Sequence, residues 1–146
     1  MRLQFLLIYL VAVGLEAKHC HLPDMLANKR IMLIIDLFYQ PSNPKAGNLH
    51  ELTFSKDKIN DTRLSNKEVS HGSYQYQRLD PSVAVLNYQL TLGKELTQAK
   101  FVFVCDSNRT GKYIYSQIQG SVKPNVRQNT GSYIITNIEQ TVKKSQ

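Results

Sequence analysis

Between Val83 and Leu92 the chain alternates: Leu86, Tyr88, Leu90 and Leu92 fall on one side, Asn87, Gln89 and Thr91 on the other. Successive side chains of an extended strand point to opposite faces, so this period predicts a half-buried β-strand. Lys100–Cys105 (Lys-Phe-Val-Phe-Val-Cys) is apolar on both faces and predicts a central strand needing cover on either side. Tyr113-Ile114-Tyr115 and Ser132–Ile138 predict two more strands. The segments between them, Asp106–Gly111 and Gly120–Gly131, have the Asp, Asn, Ser, Gly and Pro content of turns. The first predicts an open hairpin loop in which Gly111 takes positive φ.

The N-terminal half is less regular. Pro41–Ser73 is mostly polar and predicts a long loop with one short strand, Glu51–Ser55. Residues 24–39 fit two readings. Pro23 and Pro41 suit the start and stop of a helix, and Met25, Leu26, Ile31, Ile34, Ile35 and Phe38 approximate a helical stripe. Ile31–Ile35 equally suits a buried strand, and strand is the reading adopted for 31–39. Short strands separated by regular turn signals predict an all-β fold, a small antiparallel β-sandwich with one long polar loop. The alternative is α+β, an N-terminal helix over 24–39 packed on an antiparallel sheet.

The first residues predict an address. Arg2 precedes an apolar run, Phe5–Val13, and small residues follow at Ala12, Gly14 and Ala17. That order is a secretory signal peptide, and the run is too short to span a bilayer. Residues 1–17 are therefore expected to be removed after Gly14 or Ala17, leaving 18–146 as one secreted β-rich domain. The ending Lys143-Lys144-Ser145-Gln146 has no hydrophobic tail, so no stable membrane anchor is expected.

Export gives meaning to the cysteines. There are two, Cys20 and Cys105, and in an oxidising compartment an even pair predicts a disulfide. Asn60-Asp61-Thr62 and Asn108-Arg109-Thr110 lie in polar, turn-like sequence and predict glycans on Asn60 and Asn108. The net charge of +7, from 18 Lys and Arg against 11 Asp and Glu, predicts an extracellular ligand or protein partner of acidic character. The basic residues are scattered, with no Arg-rich stripe interleaved with aromatics, so nucleic acid is not the expected partner.

Motifs for catalysis are missing: there is no G-x-S-x-G, P-loop, H-E-x-x-H or C-x-x-C. Neither an enzyme nor a cofactor is expected. His19-Cys20-His21 puts two imidazoles on one face of an extended chain, but no carboxylate pattern completes a metal shell, and no metal site is assigned. A nucleophile pair of Cys105 with His50 or His71 would require a reduced thiol. Tyr113 and Tyr115 share one strand face and are candidates for a binding surface; the alternative is that they complete a sheet face.

One stretch has a familiar order. Leu96-Thr97 leads into Phe101-Val102-Phe103-Val104, followed by Asp106, Asn108, Thr110-Gly111, Tyr113, Ile118 and Gly120. Over residues 86–142 this resembles the small secreted insect proteins related to the second multiprotein bridging factor, with the caterpillar pathogen-response proteins. The resemblance implies a secreted, non-enzymatic binding or response protein in gut, infection or stress responses. The alternative is a cystatin-type extracellular protease inhibitor, with residues 24–39 as its helix. That family's Gln-x-Val-x-Gly loop has no match here, since Gln117-Ile118-Gln119-Gly120 is one residue short.

Overall fold

The computed structural model describes residues 19–138. The expected signal segment, 1–17, lies outside them. Eight strands follow in order: β1 (Lys29–Ile35), β2 (Leu49–Phe54), β3 (Lys58–Arg63), β4 (Glu68–Asp80), β5 (Val83–Leu92), β6 (Glu95–Cys105), β7 (Thr110–Gln119) and β8 (Arg127–Asn137). Each pairs antiparallel with the next, and β8 returns to β1, from Lys29↔Asn137 to Ile35↔Gly131. The result is a closed up-and-down barrel with every strand edge paired.

The all-β expectation holds, and the sandwich is corrected to a barrel. Inward–outward alternation is the same in both; what separates them is the unbroken pairing of all eight strands, closed by the β1–β8 ladder. Among the described residues there is no helix, so the α+β alternative fails, and residues 24–39 contain β1.

Three other expectations change. The long polar loop over 41–73 contains β2, β3 and the first part of β4. The loop over 120–131 ends at Arg127, where β8 begins. Gly111 lies inside β7 and is not a positive-φ turn residue; Gly47 and Gly93 are the described glycines with positive φ. Gly93 opens the two-residue β5–β6 turn with φ 60°, as a type II′ turn requires. The β6–β7 hairpin forms as expected, but neither strand is central. Phe101, Phe103 and Cys105 point inward, and the outer face, with Val104, is open to solvent.

One end of the barrel is filled. Residues 19–28 cross beneath it, and their Leu22 and Leu26 are buried in one core cluster with Ile31, Leu52, Ile59 and Leu86. Leu22 N–H donates to Pro81 O at 2.8 Å, Arg78 Nη1 to Leu22 O at 3.0 Å, and the Tyr76 hydroxyl to Pro23 O at 2.8 Å. Burial pushes the Tyr76 hydroxyl up to about 12. The Cys20–Cys105 disulfide, with Cα atoms 6.0 Å apart, ties this segment to the end of β6. Above it Phe101 packs with Tyr88 (ring centroids 5.5 Å apart), Tyr113 (5.1 Å) and Tyr115 (5.1 Å).

Candidate ligand cavity in the open end of the barrel

At the opposite end, reached by the β1–β2, β3–β4, β5–β6 and β7–β8 loops, the interior is not filled. A cavity of about 390 Å³ opens there. Its deeper wall is apolar and aromatic: Leu33, Leu90, Phe101, Tyr88, Tyr113 and Tyr115. Its mouth is charged, with Lys45, Asp61, Arg63, Glu68, Glu95 and Arg127.

The period of two places these charges. Asp61 and Arg63 on β3 alternate with outward Asn60 and Thr62, so both carboxylate and guanidinium face inward. Across the β2–β3 ladder His50 Nδ1 lies 2.7 Å from Asp61 Oδ1. Across the β3–β4 ladder Arg63 Nη1 lies 3.1 Å from Glu68 Oε2. On β7 and β8 the Tyr115 hydroxyl donates to Gln117 Oε1 at 2.9 Å, and Gln117 Nε2 donates to Asn125 O at 2.9 Å. Arg127 Nη1 donates to Val122 O at 2.7 Å. These last two bonds hold the β7–β8 loop over one side of the mouth. Asn43 holds the β1–β2 loop over another side, and its Oδ1 accepts from Asn129 Nδ2 at 3.3 Å.

Several polar atoms in the cavity are buried without a hydrogen-bond partner in the protein: His50 Nε2, Arg63 Nε, Arg127 Nε and Asn129 Oδ1. Buried polar atoms are nearly always paired, so such a cluster is a mark of a binding site. Burial pushes the Lys45 ammonium pKa down, and Arg63 and Arg127 push it further; Asp61 and Glu68 oppose them. Burial likewise raises the Tyr88 hydroxyl well above the usual tyrosine range, and raises that of Tyr115. The cavity therefore combines an apolar floor with cationic, anionic and uncharged hydrogen-bonding groups at its rim. It can hold and orient one small molecule.

The residues expected from sequence are distributed as follows. Cys20 and Cys105 are joined, which takes Cys105 out of any pairing with His50 or His71. Tyr113 and Tyr115 share one strand face as expected, and that face is buried inside the barrel against the cavity. Asn108 sits in the β6–β7 turn, where its Oδ1 accepts from His21 N–H at 2.8 Å. Asn60 is not in a turn: it lies on the outer face of β3, exposed, with His71 Nδ1 at 2.8 Å from its Oδ1. The sequence reading missed Lys45, Asp61, Arg63, Glu68 and Arg127. The available signal was the spacing Asp61-x-Arg63, two ionisable side chains on one strand face.

No protein-family model, curated protein or solved structure matches this chain.

Proposed function

We propose that this protein is a secreted, non-enzymatic binder that carries one small amphipathic molecule inside its barrel. The observation that carries the reading is the half-filled interior. An eight-stranded barrel has room either for its own side chains or for one small ligand. Here the closed end is packed, whereas the open end keeps a cavity of about 390 Å³ with unpartnered polar atoms at its walls.

Export is supported by the N-terminal pattern of Arg2, Phe5–Val13 and Ala12/Gly14/Ala17, and a buried disulfide suits an extracellular protein. The outer wall argues against a barrel that sits in a membrane. Asn87, Gln89, Lys100, Lys112 and Gln128 all project outward and are exposed, where a lipid-facing band would be apolar. Among the described residues no helix is long and apolar enough to cross a membrane. A role in insect gut, infection or stress responses rests on the sequence pattern of residues 86–142. A cystatin-type inhibitor needs a helix crossing a sheet, and residues 24–39 supply a strand instead.

The test is fluorescence titration with a neutral, environment-sensitive aromatic probe, phenylnaphthylamine. One saturable site per chain is expected. Thr97→Trp, which fills the cavity from β6, should abolish it while leaving the thermal transition in place. Binding that survives Thr97→Trp, or no saturable binding at all, overturns the reading.

A further inference from the structure

Not every charged group in the mouth of the cavity has a partner in contact. Asp61 Oδ1 is 2.7 Å from His50 Nδ1, and Glu68 is ion-paired with Arg63 at 3.1 Å. Glu95 stands exposed at the rim, beside the β5–β6 turn. That leaves Lys45 and Arg127. Neither has a carboxylate within 4.0 Å among the described residues. Arg127 is only 6% exposed. Among the described residues its side-chain partners are uncharged, the Val122 carbonyl at 2.7 Å and the Tyr115 hydroxyl, and its Nε is buried without one. A buried guanidinium without a counter-charge is costly, and the cost is relieved when an anion arrives. Lys45 comes down on the same region from the β1–β2 loop; burial, then Arg63 and Arg127, disfavour its charge, against a smaller opposing pull from Asp61 and Glu68.

We propose that the cavity takes an amphipathic organic anion, its carboxylate-, sulfate- or phosphate-like head between Lys45 and Arg127 and its apolar body against Leu33, Leu90 and Phe101. The inference rests on the cavity being a ligand site and adds the chemical class. An arginine fork suits such a head, because paired N–H groups match two oxygens. Asn129 Oδ1 is an acceptor without a donor, so a hydroxyl or N–H next to the head completes the fit. The apolar floor excludes small inorganic anions as the preferred occupants, since they would leave Leu33, Leu90 and Phe101 facing water.

The experiment compares two probes of nearly one shape on the oxidised, folded chain: anilinonaphthalene sulfonate and the neutral phenylnaphthylamine. The sulfonate should bind at least about tenfold tighter, the scale of one retained charge interaction in a partly buried site. The ratio of affinities should collapse toward unity in Lys45→Gln and in Arg127→Gln. It should persist in Lys58→Gln, at the closed end. Lys45 makes no side-chain hydrogen bond among the described residues, so its variant reports on charge even if Arg127→Gln fails to fold. Equal affinities in the parent chain, or a ratio unmoved in Lys45→Gln, overturn the anion inference and leave the cavity reading standing. If neither probe binds, the cavity reading falls and the inference with it.

Discussion

Tyr113 stands directly opposite Gly131 on the β7–β8 ladder, and its phenol ring covers the glycine. The pairing recurs in reverse: Tyr133 stands opposite Gly111. A Cβ on Gly111 would come within 2.6 Å of the Tyr133 hydroxyl, and one on Gly131 would collide with the Tyr113 hydroxyl and the Ile34 carbonyl. These glycines are thus required by close approach. Their absence of side chains lets the two rings lie across neighbouring strands, where Tyr113 meets Phe101 and Tyr133 meets Phe103 edge to face, centroids 5.1 and 5.0 Å apart.

Gly111→Val and Gly131→Val should each lower stability by about 2 kcal/mol, the usual cost of forcing extra methyl groups into a packed interior. Urea denaturation measures it. A variant within about 0.5 kcal/mol of the parent, the range of neutral surface changes, would contradict the packing argument.

The disulfide closes a loop of 85 residues between the plug and the end of β6. Reduction, or the Cys20→Ala/Cys105→Ala double variant, should cost about 4 kcal/mol in the chain-entropy model. The loss should fall first on the plug, so amide exchange at Leu22 and Leu26 is expected to accelerate before that of the barrel strands. Peptide mapping without reductant should recover the two cysteines linked; uniform loss of protection throughout the barrel on reduction would show that the plug is not a separate unit.

The parts of the fold that are legible in the sequence are those whose inward side chains are apolar. On β5, Leu86, Tyr88 and Leu90 point inward and Asn87, Gln89 and Thr91 outward, so alternation marked the strand correctly. β3 and the start of β4 look like loop in the sequence for the opposite reason. Their inward residues, Asp61, Arg63, Glu68 and Ser70, line the charged mouth of the cavity, so both faces are hydrophilic and the period-two signal in hydrophobicity vanishes. The site was hidden by the same chemistry that makes it a site. Barrel closure was invisible because the Lys29↔Asn137 to Ile35↔Gly131 pairing joins the two ends of the domain and leaves no local mark.

Alkaline stability should depend on the interior tyrosines. Burial raises the hydroxyls of Tyr76, Tyr88, Tyr113, Tyr115 and Tyr133 above their usual value. In the unfolded chain they lose protons near about pH 10, earlier than in the barrel. The unfolded state then binds fewer protons than the native one, so stability falls as pH rises. It should be fully present below about pH 10 and drain away as pH climbs through about 12, the value reached at Tyr76. Phenolate absorbance and circular dichroism followed together should change in one step for these residues. Their ionisation well before loss of structure would show that the rings are reached by solvent.

Processing offers a separate check on export. Protein secreted by eukaryotic cells should begin at Leu15 or Lys18, and glycosidase treatment should lower its mass if Asn60 or Asn108 is modified. Both side chains lie at the barrel surface, and Asn60→Gln or Asn108→Gln should each remove one glycan without unfolding the chain. An intact Met1 on the secreted protein would rule out cleavage of the leader.

Asn43 makes the most demanding test of how the mouth is held. It is 1% exposed, and its Nδ2 donates to Asp36 O and to Phe38 O, each at 3.0 Å, while its Oδ1 accepts from Asn129 Nδ2 at 3.3 Å. One amide therefore fastens the β1–β2 loop to β8, two residues before Lys45. Asn43→Ala leaves the Phe38 carbonyl and the Asn129 amide without this partner, while Asp36 O keeps its bond from Gly47 N–H, and should cost about 2 kcal/mol, within the range for unsatisfied buried groups. Asn43→Asp keeps the size but replaces the donor with a carboxylate oxygen facing two carbonyls, so it should be at least as harmful. Because Lys45 rides on this loop, both variants should also narrow the preference for the sulfonate probe over its neutral counterpart. Full stability in Asn43→Asp would mean that the loop is held by its backbone bonds, such as Asn43 N–H to Gln40 O at 2.8 Å, and that the side chain is incidental.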